Sequence, residues 1–303
     1  MSRLTILALT AVLILGPACG SAPPVREDPP ARVKWSEKGV KTYRAGNYEE
    51  ANRFFLRALE ESRDHDDLPS EAGSIANLAR VQERLGNLDE ARTGFRAAME
   101  IYRIAGDRLA MALCLNDLAA LDLREENVEA ARKRLQSALE IQKELRDPAG
   151  RAITLNQMGL VRMREGQPKE ARRFFAEAEA FNRDHERWDD LASNLANRAR
   201  AEEGLDRLDA ARIALEEALR LNRQRADREG IALSLRSLAR VMEKSGDRAS
   251  AIGYLRRALR VNEGIGATHR AEADRSEIAR LQAAGDSRPS GNPTLPTSPT
   301  GSH

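Results

Sequence analysis

Small and bulky residues recur along this chain at intervals of forty. Ala51, Ala91, Ala131, Ala171, Ala211 and Ala251 stand at one phase, and Ala58, Ala98, Ala138, Ala178, Ala218 and Ala258 at another. Between them lies a large apolar residue: Phe55, Phe95, Leu135, Phe175, Leu215 and Leu255. Steps of four and three put the three positions on one stripe of a helix. A second stripe precedes it. Gly39, Ala79, Ala119, Gly159, Ala199 and Ala239 each follow a larger residue four places back: Trp35, Ile75, Leu115, Leu155, Leu195 and Leu235. The pattern predicts a helix A, a tight turn and a helix B, six times over without insertion.

The turn is written in a recurrent hexapeptide. "GNYEEA" (46–51) and "GNLDEA" (86–91) are followed at the same spacing by "ENVEAA", "GQPKEA", "DRLDAA" and "GDRASA". Glycine is suited to the left-handed backbone that ends helix A. Glu126 and Asp206 replace it in the third and fifth copies, so those turns are expected to carry strain. Asn47 and Asn87 are expected to cap helix B, with Glu50 and Glu90 completing a capping box. Asp67, Asp107, Asp147 and Asp227 share one phase between repeats and are expected to start the next helix A.

These residues make the chain resemble the tetratricopeptide family. "WSEKGVKTYRAGNYEEANRFFLRAL" carries Trp35, Gly39, Gly46, Tyr48, Ala51, Phe55 and Ala58 in the family's register. The usual period of that family is about 34 residues. A period of forty is similar to the longer-helix subclass seen in kinesin light chain. HEAT and armadillo repeats share the longer period but not the alanine pattern. The resemblance implies an all-α fold: a right-handed superhelical solenoid of six helix-turn-helix repeats plus a C-terminal capping helix. For function it implies protein or peptide binding and no more.

The solenoid is expected over residues 32–284, with 272–284 as a last helix A that covers the final apolar face. Residues 20–31 read as a proline-rich tether and 285–303 as a disordered Pro/Ser/Thr tail. Residues 1–19 differ from everything after them. Arg3 precedes the run "LTILALTAVLIL", which is too short to span a bilayer as a helix and reads as a secretory signal. Cys19 then resembles the lipidated cysteine of a bacterial lipoprotein. Ala18 and Cys19 match that pattern, whereas Gly16 and Pro17 depart from it. Ordinary cleavage near Ala18 or Ala22 is the alternative. The other cysteine, Cys114, falls among Met111, Leu113 and Leu115 and reads as a packed, inert residue.

Charge removes several function classes. The chain has 49 basic and 47 acidic residues, interspersed along its length, so no strong field points to nucleic acid. His65 and His185 share a repeat phase three repeats apart, too far to hold one metal, and suit helix C-termini. Trp35 and Trp188 read as packing residues. The chain contains no HExxH, paired CxxC, P-loop, GxGxxG or GxSxG motif. No catalytic residue, cofactor or metal is expected, and the chain does not read as an enzyme.

In tetratricopeptide solenoids helix A lines the concave surface, and the resemblance therefore places a partner there. The stripe read along helix A gives Arg80 and Glu83 in repeat two, Arg200 and Glu203 in repeat five, and Arg240 and Glu243 in repeat six. Repeats three and four differ: Leu113, Asn116, Ala120 and Leu123, then Ile153, Asn156, Leu160 and Met163. Two readings stand for this apolar centre. It is a patch for an extended or helical peptide, with Asn116 and Asn156 holding backbone amides, or it packs adjacent A helices together. Asn77, Asp117, Gln157 and Asn197 form a second polar ladder that either meets ligand or bonds across repeats.

The sequence thus reads as a non-catalytic scaffold that binds an unidentified protein or peptide. It is expected to be exported and anchored to a membrane through lipid on Cys19, as an outer-membrane lipoprotein facing the periplasm. Lipoproteins of this kind are similar to pilotins that assist secretin assembly and to subunits of polysaccharide exporters. The alternative is a ligand-responsive regulator whose superhelix changes pitch on binding a peptide.

Overall fold

The computed structural model describes residues 30–286. The expected signal segment, Cys19, the tether up to residue 29 and the tail beyond 286 lie outside the described residues. Six hairpins follow one another. They are α1 (Ala31–Arg44) with α2 (Tyr48–Asp64), α3 (Leu68–Leu85) with α4 (Leu88–Ala105), and α5 (Arg108–Arg124) with α6 (Val128–Glu144). Then come α7 (Pro148–Arg164) with α8 (Pro168–Asp184), α9 (Trp188–Gly204) with α10 (Leu208–Gln224), and α11 (Arg228–Lys244) with α12 (Arg248–Gly264). A single helix, α13 (Thr268–Asp286), closes the array. No strand occurs among the described residues.

The alanine ladders form the contact between helices A and B. The alanines of both helix-B ladders have no exposed surface, and the bulky residue between them is buried in every repeat. Size is matched across this contact. Gly39 faces Phe55 and Gly159 faces Phe175, and a β-carbon on either glycine would lie within 2.5 Å of the ring. Alanine stands in the other four repeats, opposite leucine in three of them; in repeat two Phe95 is accommodated because Gly94 lets Ala79 approach. Leu281 and Ala271 of α13 are buried, as a covering helix requires.

Positive backbone φ recurs every twenty residues. Gly46, Gly86, Gly166 and Gly246 adopt it inside repeats, and Glu126 and Asp206 do so at φ 64° and 57°, as the missing glycines imply. The same conformation recurs between repeats, at Gly106 and Gly266 but also at Asp66, Arg146, Glu186 and Ala226. Each of these turns lets the following N–H reach back five residues, as in Asn87 N–H to Gln82 O and Asp147 N–H to Gln142 O.

The caps divide by residue. Asp67, Asp107, Asp147 and Asp227 accept from Ser70, Ala110, Gly150 and Gly230 N–H and start α3, α5, α7 and α11 as expected. The expected asparagine caps do not form: Asn47 and Asn87 sit at the N-cap without a side-chain bond to the helix. Asn87 instead donates its amide to Gln82 across the turn, which takes the side chain away from the open N–H groups.

Candidate functional site

Curvature decides which face is concave. α5 packs on α7, α7 on α9, and α9 on α11, while among the described residues no two B helices pack on each other in this way. Helices A therefore line the inner wall and helices B the outer one. Inner positions come from the A-helix stripe, held in register by the small residues that seat each A helix on its own B helix.

The central rungs separate into two groups. Leu113 is exposed (38%), and Ile153, Asn156, Leu160 and Met163 are half-buried. Asn116 and Leu123 are 2% and 7% exposed and belong to the packing between repeats. Neither of these two is open to a partner, which corrects the sequence reading for both. Leu123 packs into the cluster of Leu135 and Met158. Asn116 Oδ1 faces the Thr154 hydroxyl on α7 at 3.0 Å. Leu160 and Met163 keep part of their surface while packing against the core of repeats four and five. Leu233 on α11, at 61%, adds an exposed apolar side chain beyond the predicted centre.

The charged rungs do not pair along one helix but across repeats. Arg80 of α3 donates to Asp117 of α5 at 2.6 Å, and Arg124 of α5 returns to Glu83 of α3. Arg240 and Lys244 of α11 meet Glu203 of α9. Arg280 of α13 meets Glu243, and Arg236 meets Asp274. Between α7 and α9 the bridge is an amide pair, Asn197 Nδ2 donating to Asn156 Oδ1 at 3.0 Å. The second polar ladder thus bonds across repeats through Asp117 and Asn197. Burial pushes the Asp117 carboxyl up, and the Arg80 guanidinium beside it offsets this only in part. Arg200 stands apart: it is exposed on α9 and has no hydrogen-bond or ion-pair partner among the described residues.

A buried polar ladder on the other side of the A helices has no counterpart in the sequence reading. From α6 onward it joins the end of helix B to the next helix A at a spacing of twelve. Gln142 and Asn116 both face the Thr154 hydroxyl. Asn182 donates to Asn194, Asn222 to Ser234, and Asn262 to Asp274. The signal was present as a polar residue at one phase in successive repeats. Its chemistry varies from repeat to repeat, which hid it from a search for identity. The Thr154 hydroxyl has one proton, so it donates to one amide oxygen and satisfies a second amide only by accepting from its N–H.

The remaining candidates are structural. Cys114 is buried beside Tyr102, and burial pushes its thiol up to about 12, so the reactive thiolate is suppressed. His65 and His185 each hold the carbonyl four residues back, Glu61 O and Phe181 O, at helix C-termini. Trp35 stacks on Phe54, with Lys38 and Arg57 over its ring. Trp188 packs against the core of repeats five and six.

Stacked helical hairpins with an inner wall of A helices define a solenoid repeat protein. A tetratricopeptide repeat model matches residues 70–144, 108–184 and 189–264, and the chain belongs to that family. We found no curated protein that matches its sequence. Several solved structures share the fold. The Rap protein complexed with Competence and Sporulation Factor superposes with a TM-score of 0.63 at 16% identity, over 85% of this chain and 77% of that one. BtubC from P. vanneervenii gives 0.54 at 20% identity, over 84% and 98%. The APC/C hetero-tetramer Cut9-Hcn1 gives 0.59 at 20% identity over 82% of this chain, which spans 44% of the length of that relative. At these identities the likeness concerns the fold alone.

Proposed function

We propose that the protein is a non-catalytic scaffold whose inner wall holds an extended segment of a partner protein. The observation that carries this reading is the combination of side chains along that wall, from α5 to α11. Leu113 and Leu233 are exposed, Ile153, Leu160 and Met163 keep part of their surface, and Arg200, on the same stripe of the A helices, has no hydrogen-bond or ion-pair partner among the described residues. Apolar surface with one free cation suits a peptide that brings apolar side chains and a carboxylate. The other arginines of the wall are held by Asp117, Glu203 and Asp274, so Arg200 is the cation left to set register.

The test is site-specific photo-crosslinking in the native cell. Probes at Leu113 and Arg200 should capture the same partner, whereas a probe at Ile213, 58% exposed on an outer helix, should capture none. Equal capture from both walls overturns the reading. We further propose export and lipid attachment at Cys19, supported by the basic start, the short apolar run and the isolated cysteine that follows it. No helix among the described residues is long and apolar enough to cross a membrane. Cys19→Ser should move the protein from the membrane fraction to the soluble one; an unchanged distribution ends the lipid proposal.

A further inference from the structure

The bridges between helices described above join one repeat to the next. One contact does not. Arg84, in the last turn of α3, donates from Nη2 to Glu229 Oε2 in the first turn of α11 at 3.0 Å, across 145 positions of sequence. Repeat two thus touches repeat six. The array curls far enough for one end of an inner helix to meet the opposite end of another, four A helices further on.

Both partners are held for this contact. Arg84 Nε and Nη2 also donate to the Tyr48 hydroxyl, at 2.9 and 2.6 Å, and the guanidinium lies over the Tyr48 ring. Tyr48 in turn packs edge-on against Tyr43. On the other side, Arg270 at the start of α13 lies 3.4 Å from Glu229 Oε1. A short chain of contacts therefore runs from the first hairpin through Arg84 and Glu229 to the closing helix. Arg84 and Glu229 are both partly exposed, so the pair is open to solvent and to screening by salt.

We propose that Arg84 and Glu229 form a latch that closes the solenoid on itself. With the latch shut, the inner wall between α3 and α11 is a channel rather than an open groove. Leu113, Arg200 and Leu233 then face a space that an unfolded segment enters end-on and a folded domain enters only after the latch parts. An exposed ion pair is weak enough for a partner or a change of salt to part it. The closure stands on the contact itself, while its role in admitting a partner rests on the scaffold reading above.

Two ligand-free measurements test it on the full chain carrying C19S and C114A. Spin labels at Leu85 and Arg228, exposed positions beside the pair, should give one short, narrow distance at low salt. R84E should lengthen and broaden it, and R84E combined with E229R should restore it. A broad distance without R84E, or no response to R84E, overturns the latch. Then a cysteine at Leu113 should react equally with N-ethylmaleimide in all variants, and several-fold faster with a maleimide carried on a folded protein when R84E is present. Equal rates with the bulky reagent leave the closure intact and overturn its gating role. Failure of the crosslinking test at Leu113 would strike the scaffold reading and leave both of these results standing.

Discussion

Glu203 of α9 and Arg240 of α11 face each other as a two-pronged pair, with guanidinium nitrogens 2.8 and 2.9 Å from the two carboxylate oxygens. Lys244 adds a third contact to the same carboxylate at 3.2 Å. Burial of Glu203 pushes its carboxyl up, but Arg240 and Lys244 outweigh that and hold it below the ordinary range. A carboxyl depressed in the folded state stabilises above its unfolded pKa, about 4.3 for glutamate, and loses that contribution as pH falls through the folded value. Glu203→Gln should therefore cost about 1–2 kcal/mol at neutral pH, less than a fully buried pair because Arg240 reaches solvent. Urea unfolding across pH checks this: the gap between the two proteins should close below pH of about 4. A gap that persists in acid would mean that packing, not charge, sets the cost.

Asp274 carries the opposite sign. It has no exposed surface where α13 meets α12, and burial pushes its carboxyl up against the opposing pull of Asn262 and Arg236. A raised carboxyl binds its proton more firmly when folded, so stability falls as pH rises from the unfolded value of about 3.9 through the folded one. Asp274→Asn keeps a side chain that Asn262 can bond and removes the buried charge. It should equal or exceed the parent in stability at pH 7, with the parent catching up in acid. Thermal unfolding at the two pH values reads the difference. A variant weaker at both would show that Arg236 holds α13 in place by its charge.

The contact between helices A and B predicts an unusual cost for alanine. In an open helix Gly→Ala gains about 1 kcal/mol. At Gly159 the new β-carbon would meet the Phe175 ring at 2.4 Å, so the ring or the helix must move. Overpacking of this kind costs about 1–3 kcal/mol. Gly159→Ala should therefore destabilise despite its better propensity. Adding Phe175→Leu should recover most of the loss, because repeats three, five and six already pair alanine with leucine at these positions. Equilibrium unfolding of the single and double variants gives the coupling directly. Independent, additive effects would contradict the size matching.

Which parts of this fold were legible follows from what a period can encode. The alanine ladders, the aspartate caps and the left-handed Glu126 and Asp206 were readable, because each depends on its own short segment and recurs in phase. The Asn87 cap was misread because Asn87 has a competing acceptor in Gln82, only five residues back. Asn116 and Leu123 were placed on the open wall because phase tells which residues share a stripe but not how closely successive A helices approach. The two residues lie where α5 and α7 pack, so the same stripe that is open at Leu113 is closed at Asn116. The contact of Arg84 with Glu229 was invisible for a further reason. It depends on curvature summed over several repeats, and no single repeat carries that sum.

Ala226 gives the last test, on the turns between repeats. Its φ of 56° lies in the left-handed region, where a β-carbon crowds the following carbonyl. Gly106 and Gly266 occupy the equivalent phase three repeats earlier and one repeat later in the same conformation, with φ of 74° and 71°. The turn therefore tolerates glycine without changing its course. Relief of that crowding is worth about 1–2 kcal/mol, and the greater freedom of glycine in the unfolded chain offsets part of it. Ala226→Gly should stabilise the protein by about 0.5–1 kcal/mol, the reverse of what the same change does inside a helix. Ala214, fully buried within α10, is the control: Ala214→Gly should destabilise by at least as much. Urea midpoints at unchanged slope decide the matter. Loss of stability at Ala226 would mean that its methyl makes a contact worth more than the strain it causes.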